Sequence, residues 1–289
     1  MLLRKQLPAF RTVTAGKDNL CQLNEGIQYD IIWLRISETN GTTLASGNLI
    51  NDIVVKLLDN EQWRLTGKQL AAELAKHGTE YGIQTSGQPG TAGYTTYIPL
   101  PFTMPWFQPR AAGRAFALNA VAGSSPQLIV NLNSALVSPS LDGFFHYAPL
   151  AANASIGAIT KFTRQTLPVS GTSNEHTTFA GISAKGDFIQ GITLYPNTTS
   201  YVNKVKFTRN RQTIIDDVQI DQNQIGLMTR GWNPDLSASP AYQIMFDEEN
   251  EQDPGLITAG ANEMTLKAYY AATQSGTIDS IVELLGQPN

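Results

Sequence analysis

Apolar and polar residues between Ile53 and Gly78 follow first the period of a β-strand and then that of a helix. The alternation of the opening residues predicts a strand, and Asp59-Asn60 predicts a turn. Thr66 and Gln69 have the spacing of a capping box, in which each side chain hydrogen-bonds the backbone N–H of the other residue. The stretch therefore predicts a strand, a turn and a helix in that order.

The predicted helix has one apolar face and a defined end. Leu65 and Leu70 occupy the flanking positions whose side chains meet as a hydrophobic staple. Leu70 and Leu74 share one face at helical spacing, and Gly78 can adopt the left-handed conformation that commonly ends a helix. We expect this helix to brace the flank of the fold.

The stretch Val205–Gly231 repeats the same order of patterns later in the chain. Asp221 with Gln224 has the capping-box spacing, Ile220 with Ile225 has the staple spacing, and a glycine again follows. The four positions all lie 155 residues after their counterparts, since 220 minus 65, 221 minus 66, 224 minus 69 and 225 minus 70 give the same difference. We interpret this repeat as a structural duplication.

Short runs with strand character fill most of the remaining chain, and helical patterns are scarce. The region Ser138–Ser155 reads as a loop between two halves of similar plan. The pattern predicts an all-β protein of two tandem eight-stranded jelly-roll β-sandwiches, each with a short flanking α-helix, spanning residues 1–150 and 151–289. The matched runs of the two halves are Gly26–Leu34 with Gly186–Tyr195, Thr96–Phe102 with Ala241–Phe246, and Gln127–Asn133 with Glu263–Ala271.

The low charge of the chain bears on which partners it is expected to bind. Charged residues make up 15% of the sequence and the net charge is −4. Without a basic stripe, direct binding of nucleic acid is not expected. A surface rich in neutral polar residues instead suits a protein that packs against copies of itself.

The N-terminus and the single cysteine indicate a protein made in the cytoplasm. Arg4 and Lys5 interrupt the position where a secretion signal needs an apolar core. No apolar run reaches the length of a bilayer span. Cys21 excludes an internal disulfide, and its apolar surroundings predict a buried, inert thiol.

The sequence contains no recognisable catalytic constellation. His77, His146 and His176 are scattered, without the spacing of a zinc site. His77 falls in the last turn of the predicted helix, where a cation suits the helix dipole. A nucleophile elbow and a phosphate-binding loop are both missing from the sequence. A pair of carboxylates for glycoside hydrolysis stays open, because their separation is spatial.

Two segments are candidates for binding. The acidic run of Asp247, Glu248, Glu249, Glu251 and Asp253 offers oxygen ligands to calcium but lacks an EF-hand spacing, so a solvated loop is the competing interpretation. Prolines keep the segment around Trp106 and Phe107 out of a central strand. These two aromatic side chains are candidates for a subunit contact, or they cover one end of the first sandwich.

Two runs and the tandem plan carry a resemblance to a known family. The runs are LPAFRTVTAGKDNLCQLNEGIQYDIIWLRIS from Leu7 and VKLLDNEQWRLTGKQLAAEL from Val55. With them, the chain resembles the double jelly-roll major capsid proteins of tailless icosahedral bacteriophages that have an internal membrane, the tectivirus and corticovirus type. The acidic run and the segment around Trp106 have no place in the family pattern.

The resemblance implies a virion protein without catalytic residues and without a cofactor. Three chains of such a protein form a pseudo-hexagonal trimer, because each contributes two similar sandwiches, and the trimers tile an icosahedral shell. Implied partners are neighbouring capsomers, penton and minor capsid proteins, and an internal membrane. The residues that could face an anionic membrane are Arg4, Lys5, Arg11, Leu2, Leu3 and Leu7.

Two other functions remain open. A carbohydrate- or receptor-binding β-sandwich protein predicts a monomer or dimer with exposed aromatic side chains in one groove. A two-sandwich hydrolase predicts carboxylates that converge in a cleft.

Overall fold

Strands dominate the computed structural model, which confirms the all-β prediction. The structure describes residues 3–38, 44–78, 82–88, 90–105, 113–151, 153–176, 187–196, 200–246, 256–259, 261 and 263–288. The chain divides into two units, each of which is described by itself. Unit 1 comprises Met1–Lys161 with Gln287–Asn289, and unit 2 comprises Phe162–Gly286, whereas the predicted division lay between residues 150 and 151.

Within its described residues, unit 1 contains two antiparallel sheets and the α-helix α1. Its elements are β1 (Leu3–Gln6), β2 (Asp18–Gln22), β3 (Ile27–Glu38), β4 (Ile50–Leu57), β5 (Asn60–Leu65), α1 (Gly67–Ala75), β6 (Gln84–Ser86), β7 (Thr95–Pro101), β8 (Leu118–Ala120), β9 (Gln127–Leu132) and β10 (Pro139–Pro149). One sheet has the order β1-β10-β3-β7-β6, with β8 also pairing β3, and the other contains the order β5-β4-β9-β2.

The core of unit 1 follows from the alternation along its strands. Ile32, Leu34 and Ile36 on β3 are buried, and the residues between them are more exposed. Leu128, Val130 and Leu132 give β9 the same pattern. Because successive side chains of a strand point to opposite faces, each strand directs one set into the core.

Strand β10 corrects the predicted loop at Ser138–Ser155. It pairs with β3 from Pro139 to Pro149 and with β1 over four residues. Asp142-Gly143 suggests a turn by residue type, but Gly143 lies inside the strand. A Cβ at this position would collide with the carbonyl oxygen of Trp33, so the glycine permits the close approach of β3.

The predicted strand, turn and helix at Ile53–Gly78 are confirmed, with a second strand between the turn and the helix. β4 and β5 form a hairpin, and α1 follows directly. The Thr66 hydroxyl accepts a hydrogen bond from the Gln69 N–H at 3.1 Å, and Gln69 Oε1 accepts one from the Thr66 N–H at 2.9 Å. Leu70 and Leu74 are buried as expected.

Unit 2 is built from longer strands. Its elements are β11 (Ile159–His176, which begins in unit 1), β12 (Phe188–Leu194), β13 (Val202–Arg209), β14 (Gln212–Gln219), α2 (Ile220–Thr229), β15 (Tyr242–Met245), β16 (Leu256–Ile257) and β17 (Met264–Gly286). The strand order β14-β13-β17-β11 forms one sheet, and β12 pairs with β15, β16 and β17.

The strand pairings of unit 2 repeat those of unit 1. The hairpin β13–β14 followed by α2 corresponds to β4–β5 followed by α1. β12 pairs with β15 as β3 pairs with β7. The first part of β17 pairs with β13, as β9 pairs with β4. The last part of β17 pairs with β12, as β10 pairs with β3, so β17 corresponds to both β9 and β10. The duplication inferred from the sequence is therefore present in the fold.

The predicted cap of the second helix was two residues too late. The residue that precedes the first turn is Gln219, and its N–H donates to Gln222 Oε1 at 3.3 Å. The two helix caps are thus 153 residues apart, since 219 minus 66 is 153, and the same offset relates Gly231 to Gly78. The predicted staple is also wrong, because Ile225 is 58% exposed.

Candidate assembly surfaces

An aromatic cluster covers part of the outer face of the β1-β10-β3 sheet in unit 1. The rings of Trp33 and Phe144 are nearly parallel, with centroids 6.3 Å apart. The guanidinium carbon of Arg4 lies 5.4 Å from the centre of the Phe144 ring, a cation–π distance. Arg4 Nε also donates to His146 Nε2 at 3.0 Å. Burial and the nearby Arg4 charge lower the pKa of His146, which favours the neutral acceptor form.

The same face carries a cross-strand ion pair. Arg35 on β3 donates from Nε to Asp142 Oδ1 at 2.7 Å and from Nη2 to Asp142 Oδ2 at 2.5 Å. Both side chains are substantially exposed, so the pair contributes less than about 1 kcal/mol to stability. Its bidentate geometry supports the register of β3 and β10.

On the outer face of the β14-β13-β17 sheet in unit 2, lysines are paired with nearby acidic and aromatic groups. Lys204 Nζ lies 4.1 Å from the centre of the Tyr269 ring and 3.2 Å from Asp217 Oδ2. Lys206 Nζ lies 2.9 Å from Asp216 Oδ1. Lys204 and Lys206 on this face are therefore each paired with an aspartate of the neighbouring strand β14.

Large apolar side chains are exposed at a few positions within the described residues, and they are concentrated in unit 2. Three of them are on or beside α2: Ile225, Met228 and Leu236. The others in the described part of the chain are Leu58, Val137 and Ile214. Exposed apolar groups of this kind are candidates for contacts with another protein.

Asp30 is a buried carboxylate that the sequence analysis missed. It is the extra residue of a β-bulge, since the register of β3 against β10 shifts between Tyr29 and Ile31. Asp30 Oδ2 lies 3.5 Å from Arg114 Nε, whereas Oδ1 is buried and has no hydrogen-bond partner. Burial raises its pKa, and Arg114 opposes that shift. Tyr29 and Asp30 are consecutive core positions and so break the alternation of the strand, but the pairing with β10, and not the sequence pattern, decides which residue bulges.

Several predicted candidates fall outside the described residues. Trp106 and Phe107 are among these, and so is the acidic run Asp247, Glu248, Glu249, Glu251 and Asp253. Cys21 lies within the described part and is fully buried. Burial raises the pKa of its thiol to about 12, so it is an inert core residue as predicted.

The three histidines lie at separate positions of the described structure. His77 and His146 lie in unit 1 and His176 in unit 2. Within the described ranges, no three His, Cys, Asp or Glu side chains are grouped as metal ligands. His77 was expected to act as a cation at the helix end, but burial and Lys76 hold its pKa well below the usual value, so the neutral form is favoured. The cation at this end of α1 is Lys76, whose Nζ is 2.7 Å from Glu73 Oε2.

The N-terminal segment is partly integrated into unit 1. Leu7 is buried, and its N–H donates to the carbonyl oxygen of Gly143 at 2.8 Å. Arg4 contacts Phe144 and His146, as described above, while Lys5 and Arg11 are exposed. Neither helix in the described ranges has the length and hydropathy to cross a bilayer.

Comparisons with known proteins agree with this fold. A family model described as viral coat protein P2 N-terminal domain matches residues 4–148, half of the chain. The major capsid protein P2 from Bacteriophage PM2 is 18% identical and has a TM-score of 0.80, with 99% of this chain and 97% of that chain covered. No curated protein sequence matches the chain.

Two further structures show the same fold at lower identity. PBCV-1 VP54, from a structure fitted into a reconstruction of the virophage Sputnik, is 11% identical with a TM-score of 0.70, covering 99% of this chain and 93% of that one. A structure of Sulfolobus Turreted Icosahedral Virus is 12% identical with a TM-score of 0.70, covering 99% and 91%. At these identities the similarity establishes the fold alone.

Two tandem jelly-roll units in one chain define the class of double jelly-roll major capsid proteins. Within that class, the chain belongs to the viral coat protein P2 N-terminal domain family. It is therefore a structural protein of the virion capsid, and it assembles with copies of itself into capsomers.

Proposed function

We propose that three copies of this chain form a pseudo-hexagonal trimer and that such trimers tile an icosahedral virus shell. The observation that supports this most directly is the repeat of the hairpin, the following helix and the flanking strand pairings in both units. A threefold ring of a chain that carries two similar units presents six similar blocks. A block with a nearly sixfold outline can pack hexagonally with a single type of chain.

The mass of the purified protein in solution tests this proposal. Light scattering after size exclusion should give three times the chain mass of 31.4 kDa, and negative-stain images should show particles with a hexagonal outline. A monomer that persists over the accessible protein concentrations, in the salt and pH range of intact virions, would refute the trimer.

The chain acts in this proposal without catalytic residues, as a shell component. No particular observation on the described residues favours either alternative function, the carbohydrate- or receptor-binding protein or the two-sandwich hydrolase. The interior space lined by Val55, Trp63, Phe102, Leu118 and Thr160 has no room for a water molecule, so it is packed core and not a ligand site.

Contacts with penton proteins, minor capsid proteins and an internal membrane are further parts of the proposal. The membrane contact depends on Lys5 and Arg11, because Leu7 is buried and Arg4 is held by Phe144 and His146. Flotation with anionic and neutral vesicles measures it, and equal recovery with both vesicle types would exclude an electrostatic contact.

Calcium binding by the acidic run Asp247–Asp253 also stays a prediction. A ligand that binds the folded protein raises its unfolding temperature. Thermal unfolding with calcium and with a chelator should therefore differ, and identical transitions would remove the calcium site.

A further inference from the structure

Helix α2 carries an exposed apolar surface that its own unit does not use. Ile225 and Met228 are three residues apart and share one helix face, with 58% and 45% of their surfaces exposed. The segment after the helix adds Leu236, which is 64% exposed. Gln224 Nε2 donates to the Asp235 carbonyl oxygen at 2.7 Å and so holds this segment beside the helix. We call Ile225, Met228 and Leu236 together the apolar helix face.

The duplicated helix shows that packing within the unit does not require these side chains. With the offset of 153 residues, Ile225 and Met228 correspond to Ala72 and Ala75 of α1. Leu227, the counterpart of Leu74, is the buried residue that connects α2 to the core of unit 2. The large aliphatic side chains of α2 therefore extend outward at positions where α1 has alanine.

The composition of α2 matches the centre of a protein interface. From Gln222 to Thr229 the helix contains no charged residue. Charged side chains are depleted at interface cores, whereas methionine is enriched. Gly226 lies between the two aliphatic residues, and a Cβ on it would meet no atom within 4 Å. This glycine leaves a recess in the exposed helix surface, although glycine costs a helix about 1 kcal/mol relative to alanine.

We propose that the apolar helix face is the centre of a contact with a second copy of this chain, and this inference rests on the proposed trimer. The three side chains, 58%, 45% and 64% exposed, would contribute to the about 800 Å² per partner that a stable interface buries. A membrane or nucleic acid fits this surface less well, because anionic headgroups and phosphates attract basic side chains and Gln222–Thr229 contains none. The second copy docks with a different surface, so the contact is heterologous and closes into a threefold ring.

Charge insertion tests the proposal against a matched control. Ile225→Glu and Met228→Glu place a charge in the proposed contact, whereas Val137→Glu changes a residue in unit 1 that is similarly exposed, at 60%. None of the three side chains is buried, so circular dichroism and thermal unfolding should show folded subunits. We expect the two α2 variants to require at least tenfold more protein to form the trimer, whereas Val137→Glu assembles like the unchanged protein.

Cysteine labelling gives a second measurement that does not depend on disruption. Cys21 is the only cysteine and is buried, so Ile225→Cys and Val137→Cys each add a single accessible thiol. In the assembled trimer a maleimide should label the Ile225→Cys variant at least tenfold more slowly than after dissociation, and label the Val137→Cys variant at the same rate in both states.

The outcomes separate this inference from the proposed function. If the unchanged protein is a trimer but both α2 variants assemble normally and position 225 is labelled freely, the apolar helix face is not the contact and the trimer stands. Equal loss of assembly in Val137→Glu would also overturn the assignment to α2. If the unchanged protein never assembles, the proposed trimer itself fails.

Discussion

The two hairpin–helix segments of this chain have nearly the same backbone and different outer surfaces. Each hairpin turns on two residues with positive φ, namely Leu58 and Asp59 in unit 1 and Asn210 and Arg211 in unit 2. In each, one residue bulges shortly after the turn, Gln62 in β5 and Ile214 in β14. The equivalent residues beyond the turns are Gln69 and Gln222 in the helix caps, Leu74 and Leu227 in the core, and Gly78 and Gly231 after the helices.

The segments differ first in a second bulge. Between Val205 and Phe207 of β13, the partner strand β14 has one additional residue, in the pair Asp216 and Asp217. Asp217 has a φ of 57°. β14 is an edge strand, and bulges and charges are common ways to keep such an edge from pairing with another chain. The extra residue changes the offset from 152 at the turns to 153 at the helices.

The segments differ also in what the helix presents. α1 contains the buried ion pair Glu73–Lys76, with 2% of each side chain exposed, and alanines at its outward positions. In α2 the residues equivalent to the ion pair are Gly226 and Thr229. The two segments thus share their hydrogen-bonded frame, whereas the outer surface of the helix differs and is free to have a separate role in unit 2.

The largest expected effects on stability are at Leu74 and Leu227, the equivalent core residues of the two helices. Leu74→Ala and Leu227→Ala should each lower the free energy of unfolding by about 2 to 5 kcal/mol, because both remove a buried side chain and leave a cavity. Ile225→Ala, on the same helix as Leu227, should change it by less than about 0.5 kcal/mol. Urea unfolding of dissociated subunits, followed by circular dichroism, measures all three.

This set of variants can contradict the comparison in two ways. A cost for Ile225→Ala close to that of Leu227→Ala would show that the outer side chain packs within unit 2 and would restore the predicted staple. A small cost for Leu227→Ala alone would show that the two helices are not equivalent in the core.

An intermediate effect is expected at the helix caps. Thr66→Ala should destabilise unit 1 by about 1 kcal/mol, because the Gln69 N–H loses its hydroxyl acceptor. Gln219→Ala should cost less than about 0.5 kcal/mol, since the Gln219 side chain only accepts a long, part-buried hydrogen bond from Asn203 Nδ2 on β13, at 3.3 Å. Equal losses in urea unfolding would mean that the caps contribute alike despite their different residues.

The sequence predicted those parts of the fold that depend on local chemistry. The box of Thr66 and Gln69, the buried face of Leu70 and Leu74 and the existence of a duplicate all follow from spacing. The second cap was misplaced because Asp221 is a better capping residue than Gln219, while the bulged edge strand decides where the helix begins. The offset of 153 between Gly78 and Gly231 was present in the sequence and would have corrected it.

Features that depend on distant partners could not be predicted in the same way. The predicted loop at Ser138–Ser155 contains strand β10, and only the position of Trp33 on the neighbouring strand explains the glycine at 143. The exposure of Ile225 and Met228 could not be predicted from their spacing. Two apolar residues three positions apart mark one helix face, but the spacing does not say whether that face lies against the core or against solvent. The burial of Asp30 likewise depends on the bulge against β10.

Effects somewhat smaller than that of Thr66→Ala are expected in the two hairpin turns, where the residues differ most in their tolerance of positive φ. Leu58 has a φ of 55°, and its equivalent Asn210 has a φ of 48°. The left-handed region costs most L-residues about 1 to 2 kcal/mol, but asparagine adopts it with little strain. Leu58→Asn should therefore raise the free energy of unfolding by about 0.5 to 1 kcal/mol. Asn210→Leu should lower it by at least as much, because the Glu263 N–H also loses its acceptor, Asn210 Oδ1 at 3.2 Å.

Leu58 is a suitable site for this exchange because its side chain is 44% exposed and its N–H bond to the Ser124 carbonyl oxygen, at 2.8 Å, involves only the backbone. Little packing is lost when asparagine replaces it, so the change in strain should dominate. Opposite signs for the two variants in urea unfolding would show that the turns are equivalent in energy as well as in shape. A loss of stability in Leu58→Asn would instead assign the Leu58 side chain a packing role in unit 1, and the equivalence of the two segments would then hold for the backbone alone.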